Sequence, residues 1–246
     1  MKTTLFLTCL FISGFISAQT LNGAWKMTHQ NGNEVNDVEY IKIYQDNYFA
    51  FGAVQRSDNH FIAAGGGPYT LDAGTYIETL DFFTLDPTVV GISTPFQLDL
   101  VNGKMVISSN TNNGMLVEIW EKVSEDEDAL TRNWVFTGRK QGEEITRSTP
   151  GARRTVKILS GGRFQWIAFN SETKEFSGTG GGTYTAKDGK YVEKITFFSR
   201  DDNRVGAELS FDFKVIDGEW HHNGLSSKGD PIYEIWTPYE IAYKGK

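Results

Sequence analysis

The chain has 246 residues, of which 39% are hydrophobic and 13% aromatic, so its composition excludes a disordered protein and is sufficient for one large core or two smaller ones. It carries 24 lysine and arginine residues against 31 aspartate and glutamate residues, which gives a formal net charge of -7. This acidic balance argues against binding to nucleic acid or to an anionic membrane surface.

Residues 1–18 have the pattern of a secretory signal peptide. Lys2 supplies a positive charge, residues 5–16 form an apolar run, and a small-residue cleavage site ends at Ala18. We therefore expect a secreted protein, in the periplasm or outside the cell, with no transmembrane segment after cleavage. The only cysteine, Cys9, lies in the apolar run, so disulfides and cysteine-ligated metals are not expected in the mature chain.

The chain contains the same unit twice. Residues 39–108 align without a gap on residues 154–223, and roughly 20 of about 70 positions are identical. The clearest match is Gly-Gly-Gly-Pro-Tyr-Thr at residues 65–70 against Gly-Gly-Gly-Thr-Tyr-Thr at residues 180–185. The predicted organisation is a signal peptide at 1–18, a first repeat at 19–123, an acidic linker at 124–131 and a second repeat at 132–246.

Each unit has the pattern of an all-β domain, because short aromatic and β-branched runs alternate with Gly, Asn and Asp turn signals. In the first unit the predicted strands are 24–29, 38–44, 48–54, 61–71, 76–83, 94–101, 104–108 and 115–122. Strands joined by tight hairpins form a meander, which loses its free edges when it closes into a barrel. The predicted fold class is therefore all-β, with two tandem up-and-down barrels of about eight antiparallel strands each. The triple glycine predicts a sharp bend in the fourth strand.

Several motifs resemble those of known secreted domains. Asn22-Gly23-Ala24-Trp25 resembles the Gly-x-Trp opening of lipocalins, which are calycin-type barrels. The Gly-Gly-Gly-x-Tyr-Thr, Tyr-x-Glu and Glu-Ile-Trp elements resemble secreted bacterial lipocalin-like domains of unknown function. The resemblance implies a barrel with a ligand-sized cavity, but neither a particular ligand nor an activity. The second unit, with Arg132-Asn133-Trp134, lacks the glycine, and the basic residue that lipocalins place on the last strand has no clear counterpart.

Alternation along the fifth strand places one carboxylate of each unit on an apolar face that we expect to point inward. The residues of this face are Tyr76, Glu78, Leu80 and Phe82 in the first unit and Tyr191, Glu193, Ile195 and Phe197 in the second. A carboxylate on such a wall is structural if a tyrosine hydroxyl, backbone N–H groups or a buried basic residue satisfies it. Otherwise it is available to orient a ligand or to act as an acid or base. Glu118 and Glu234 repeat this arrangement, either inside the barrel or at its rim.

The two units differ most in the seventh strand, where Met105-Val106-Ile107 is replaced by Trp220-His221-His222. Adjacent residues point to opposite faces, so one histidine must face the interior. We expect any site in the second barrel to combine that histidine with Glu193 and Tyr191, and its affinity to change between about pH 5.5 and 7.5. Zinc is not expected, because the two histidines cannot reach one cavity from one strand.

Three functions remain open from the sequence. The first is a secreted binding protein for a small apolar, amphipathic or saccharide ligand, with a site drawn from Tyr76, Glu78, Tyr191, Glu193, Trp220, His221 and His222. The second is a structural or interaction module whose barrels are filled by side chains. The third is a hydrolase, lyase or isomerase that uses Glu193 with His221 or His222 as acid and base. No cofactor is expected in any of them.

Overall fold

The computed structural model describes residues 20–111, 114–226 and 228–243, which form almost only β-strands. The predicted signal peptide, residues 1–18, lies outside the described residues. The strands of the first half are β1 (Gly23–Gln30), β2 (Asn33–Glu34), β3 (Val38–Gln45), β4 (Tyr48–Gln55), β5 (Phe61–Asp72), β6 (Thr75–Thr79), β7 (Phe82–Phe83), β8 (Ser93–Val101), β9 (Lys104–Thr111) and β10 (Gly114–Ser124).

The second half repeats this series. Its strands are β11 (Arg132–Gln141), β12 (Glu144–Arg147), β13 (Arg153–Ser160), β14 (Arg163–Asn170), β15 (Glu175–Lys187), β16 (Lys190–Phe198), β17 (Glu208–Ile216), β18 (Glu219–Leu225) and β19 (Pro231–Pro238). Short 3₁₀ turns lie at Pro87–Val89 and Asp202–Arg204, and one helical turn, α1, lies at Tyr239–Ala242. Among the described residues, no helix has the length and hydropathy needed to cross a bilayer.

Each half closes into an eight-stranded antiparallel barrel in which sequence neighbours are sheet neighbours. Barrel 1 has the order β1-β3-β4-β5-β6-β8-β9-β10, and β10 pairs with β1. Barrel 2 has the order β11-β13-β14-β15-β16-β17-β18-β19, and β19 pairs with β11. The strands β2 and β12 are short extensions paired to the first strand of each barrel. The predicted fold class is therefore confirmed.

The predicted fifth strand corresponds to β6 and β7 in barrel 1 and to β16 in barrel 2. Its predicted inward face is correct only as far as a β-bulge. In barrel 2 Gly182 pairs with Ile195 but Gly181 pairs with Phe197, so the alternation shifts by one residue. The side chain of Phe198 consequently points inward, whereas Phe197 faces barrel 1. In barrel 1 the strand is interrupted between β6 and β7, and Phe82 likewise faces outward, toward barrel 2. The inward assignment of Phe82 and Phe197 was therefore wrong.

The last glycine of the triplet allows this bulge to form. A Cβ built on Gly182 would lie 1.9 Å from the carbonyl oxygen of Lys194, and one on Gly67 would lie 1.9 Å from that of Thr79. Only a residue without a side chain permits such a close approach of two backbones. The last glycine of each triplet is thus required by the close contact between the fourth strand and the bulged fifth strand.

One end of each barrel is closed by the tryptophan of its first strand. The indole N–H of Trp25 donates to the carbonyl oxygen of Leu21 at 2.8 Å, and Trp134 donates to Leu130 at the same distance. The ammonium group of Lys122, on the last strand of barrel 1, lies 4.9 Å from the ring centre of Trp25. The basic residue for which the sequence showed no clear counterpart is therefore present in barrel 1.

The two barrels pack against each other through an apolar cluster related by an approximate two-fold axis. Phe82 of barrel 1 stacks on Phe176 of barrel 2 with ring centres 6.3 Å apart. The equivalent residues in the opposite direction, Phe197 and Phe61, stack with ring centres 6.2 Å apart. Near the axis, the hydroxyl of Ser160 donates to the side chain of its own counterpart in barrel 1, Gln45. The interface is thus self-complementary, as in a symmetric dimer.

We expect the substitution Gly182→Ala to destabilise the protein by about 3 kcal/mol or more, because the new methyl group would force apart the backbones of β15 and β16. The measurement is the free energy of unfolding from urea denaturation. Gly151→Ala is the control, because among the described residues no atom lies within 4 Å of a Cβ built there. Equal unfolding free energies for the two variants would contradict the role assigned to Gly182.

Candidate functional site in the second barrel

Barrel 2 contains an open cavity of about 270 Å³. Most of its wall is aromatic or aliphatic, formed by Trp166, Ile195, Phe198, Ala207, Leu209, Phe211, Ile232 and Trp236. Its polar lining consists of Thr155, Lys157, Glu193, Arg204, His222, Ser226 and Glu234. An apolar pocket with a few converging polar groups is typical of a small-molecule site.

Four polar side chains form the floor of this cavity, and we call them the polar belt: Lys157, Glu193, His222 and Glu234. They come from β13, β16, β18 and β19, and His222 lies directly opposite Glu234 in the sheet. Below the belt the barrel is filled by a lower core. Its members are Leu130, Trp134, Leu159, Phe164, Tyr184, Tyr191 and Trp220. Only the part of barrel 2 above the belt is therefore open.

A buried ion pair between Lys157 and Glu193 forms one side of the polar belt. The ammonium nitrogen of Lys157 lies 2.7 Å from Oε1 of Glu193, and the hydroxyl of Tyr191 donates to the same oxygen at 2.7 Å. The side chains of Lys157 and Glu193 are 7% and 5% exposed. Both partners that would make the carboxylate structural, a tyrosine hydroxyl and a buried basic residue, are therefore present.

Barrel 1 repeats this arrangement. Lys42 lies 2.5 Å from Oε1 of Glu78, to which the hydroxyl of Tyr76 donates at 2.7 Å. Burial lowers the pKa of Lys42, but the neighbouring carboxylate of Glu78 more than compensates, and the pKa is raised. The two glutamates thus occupy equivalent inward positions, although Glu78 is more exposed, at 13%, than its counterpart. The same buried group of lysine, glutamate and tyrosine occurs in both barrels, so its primary role is to stabilise the fold.

The lysine of this pair was missed in the sequence, although the signal for it was present. Lys42-Ile43 aligns with Lys157-Ile158 in the ungapped repeat. A lysine that lies between two apolar residues in both units indicates an internal partner for the repeated glutamate. In barrel 2 its ammonium group also lies 5.3 Å from the ring centre of Trp220 and 5.2 Å from that of Trp236. These cation–π contacts further offset the loss of hydration.

The inward member of the histidine pair is His222, which is 1% exposed. Its Nδ1 lies 3.4 Å from Oε2 of Glu234, outside hydrogen-bond geometry, and neither ring nitrogen has a hydrogen-bond partner among the described residues. Burial, and then the charge of Lys157, lowers the pKa of His222 well below its ordinary value. Burial thus disfavours the charged imidazole in the folded protein, which argues against the titration between pH 5.5 and 7.5 expected for this residue.

Glu234 is the second carboxylate of the belt. Burial raises its pKa, an effect that the charge of Lys157 and a hydrogen bond from the indole N–H of Trp236 at 3.2 Å reduce only in part. The side chain of Glu234 is 29% exposed and lines the open cavity, so of the two positions left open by the sequence it occupies the interior. The floor of the cavity thus combines one ion pair with two groups that burial disfavours in their charged forms.

The other predicted site residues lie away from the cavity. His221 points to the outside of barrel 2, where its Nδ1 lies 3.0 Å from the hydroxyl of Tyr233. Trp220 and Tyr191 are fully buried in the lower core, with ring centres 5.0 Å apart, and Tyr191 approaches the cavity only through Glu193. Tyr76 is buried in the core of barrel 1, where its hydroxyl lies 3.0 Å from that of Tyr44.

Side-chain size explains why the cavity is in barrel 2. Thr155 lines it, whereas the aligned residue of barrel 1 is the larger Tyr40; Ile92, which aligns with the lining residue Ala207, is 51% exposed and does not fill barrel 1. Tyr40 packs against the core of barrel 1, so its ring occupies the region that Thr155 leaves open. The difference between Thr155 and Tyr40 is visible in the repeat alignment but was not recognised, because its effect depends on which face of the strand the residue occupies.

We expect Glu193→Ala to destabilise the protein by about 3 to 5 kcal/mol, because it leaves the ammonium group of Lys157 buried without a counter-ion. Urea denaturation measures this change. Asp212→Ala is the matched control: it removes an ion pair to Lys190, on the same strand as Glu193, in which both side chains are more than half exposed. The loss of unfolding free energy in Asp212→Ala should be below about 1 kcal/mol. Comparable losses in the two variants would contradict the importance of the buried pair.

We expect the stability of the wild type to decrease more steeply with falling pH than that of His222→Ile, which introduces the residue of barrel 1. Below its ordinary pKa of 6.5, the imidazole takes up a proton in the unfolded chain but not in the folded one. Between pH 7.5 and 5.5 the wild type should therefore lose about 1 kcal/mol more unfolding free energy than the variant. Parallel curves would show that His222 titrates normally in the folded protein.

The comparisons with known proteins identify a domain but no activity. Among the described residues, no group of three or more metal-ligating side chains could hold a metal ion. No curated protein matches the chain. Residues 20–131, which span barrel 1, match the family described as Domain of unknown function (DUF4488).

Proposed function

We propose that this protein is a secreted binding protein, which holds a small amphipathic molecule in the cavity of barrel 2 and uses barrel 1 as a scaffold. The observation that carries the proposal is the open, largely aromatic cavity with His222 on its floor. Both nitrogens of this buried imidazole lack a hydrogen-bond partner among the described residues, and leaving such groups unpaired costs about 1 to 3 kcal/mol each. A ligand with a polar group at one end that reaches one of these nitrogens would remove part of that cost.

The volume of the cavity limits the size of the ligand. A cavity of about 150 Å³ holds benzene. The 270 Å³ of barrel 2 is therefore sufficient for a molecule with one or two rings, but not for a long-chain lipid. A saccharide is less well matched than an amphipathic molecule, because most of the wall above the polar belt is apolar.

The two alternative functions have less support. Barrel 1 fits the description of a filled module, since Tyr40 packs into its core, but barrel 2 is open. An acid–base enzyme would need Glu193 and a histidine in contact with a substrate. Oε1 of Glu193 is already bonded to Lys157 and Tyr191, and the same arrangement occurs in barrel 1.

Secretion is part of the proposal, and it is supported by the signal-peptide pattern of residues 1–18. A binding protein outside the cytoplasm meets ligands that diffuse in from the surroundings. An open, preformed cavity suits that role, because little ordering is then required on binding.

The substitution Thr155→Tyr should close the cavity, because it introduces the side chain that barrel 1 carries at this position. With 2-naphthol as an amphipathic probe in isothermal titration calorimetry, we expect binding to wild type and at least a tenfold loss of affinity in the variant. Thr146→Tyr is the matched control. Thr146 is exposed on β12, outside the barrel, so this variant should bind the probe as the wild type does. Absence of binding to the wild type, or equal affinity of Thr155→Tyr, would refute the proposal.

A further inference from the structure

We propose that barrel 2 selects an uncharged, largely planar molecule whose single hydroxyl group binds to His222. This inference rests on the binding function proposed above and defines the class of its ligand. It follows from three features of the cavity: the balance of charge on its floor, the unpaired imidazole and the aromatic wall.

The two cations that line the cavity are already paired with carboxylates, and burial disfavours the charged form of Glu234, the remaining carboxyl group of the lining. Lys157 pairs with Glu193 at 2.7 Å, and Arg204, at the open end, pairs with Asp201 at 3.4 Å. An anionic ligand on the floor would face the carboxyl groups of Glu193 and Glu234, whereas a cationic ligand would face Lys157. In an apolar cavity a charge without its own counter-ion is strongly disfavoured. Neutral molecules are therefore favoured over ions of either sign.

The imidazole of His222 defines the polar group of the ligand. A neutral imidazole has one N–H donor and one nitrogen acceptor, and which nitrogen carries the proton depends on its neighbours. Nδ1 lies 3.4 Å from Oε2 of Glu234 without a hydrogen bond, so this contact does not select one tautomer. A ligand hydroxyl both donates and accepts, so it can bond to His222 in either tautomer.

The wall above His222 favours a flat ligand. The ring of Phe211 lies 4.3 Å from that of His222, and Trp166 packs edge-on against Phe198 at 5.4 Å. Flat rings gain both buried area and favourable edge or face contacts with such side chains. A planar molecule that places its hydroxyl at His222 would therefore contact aromatic rings on both sides.

Four probes of nearly equal size test this inference by isothermal titration calorimetry at pH 7. They are 2-naphthol, its isostere 2-methylnaphthalene, the anion 2-naphthoate and the cation 2-naphthylmethylammonium. We expect 2-naphthol to bind at least tenfold more tightly than each of the others, because it alone is both neutral and able to pair with His222.

Variants at the two histidines identify the group responsible. In His222→Ile the preference for 2-naphthol over 2-methylnaphthalene should fall below about threefold, while binding of 2-methylnaphthalene is retained. His222→Gln, which keeps a donor and an acceptor, should retain part of the preference and provides a second variant if the first does not fold. His221→Ile, on the outside of the barrel, should keep the full preference.

Each alternative outcome has a defined meaning. Equal affinities for 2-naphthol and 2-methylnaphthalene would refute the role of His222 and leave the binding function intact. Tighter binding of either ion would refute the charge argument. If none of the four probes binds, the proposed function itself fails.

Discussion

The buried ion pair between Lys157 and Glu193 determines the interior of barrel 2. Two charges that lose their hydration need good geometry and further partners, and the hydroxyl of Tyr191 and the rings of Trp220 and Trp236 supply them. Tyr191 and Trp220 belong to the lower core, which fills the barrel below the ion pair and fixes the level of the floor. The cavity is the space that remains above it, so its depth follows from the requirements of the ion pair.

Much of the fold follows from local rules that act within a few residues. The repeat, the eight strands of each unit and the inward position of Glu78 and Glu193 are predictable from hairpin chemistry and from alternation along a strand. The inward assignment of Phe82 and Phe197 failed because a β-bulge shifts the alternation, and a bulge depends on contact with the neighbouring strand.

The site was less predictable, because its properties depend on packing between distant strands. The sequence required one of His221 and His222 to face inward, but it determined neither which one nor the effect of burial on its pKa. The cavity depends on the absence of a large side chain at Thr155, whose significance appears only when the opposite wall is known. Local patterns therefore locate the barrel interior, and three-dimensional packing determines its chemistry.

The approximate two-fold axis between the barrels affects how far the sequences of the two halves can diverge. In a symmetric dimer of separate chains, both subunits come from one coding sequence, so a residue that fills one cavity fills the other. Joining the halves in a single chain removes that restriction, and Tyr40 in one barrel coexists with Thr155 in the other. The shared interface through Phe82 and Phe197 can then stay constant while only one half acquires a specialised interior. Covalent linkage thus allows the two barrels to have different interiors, which identical chains in a symmetric dimer could not have.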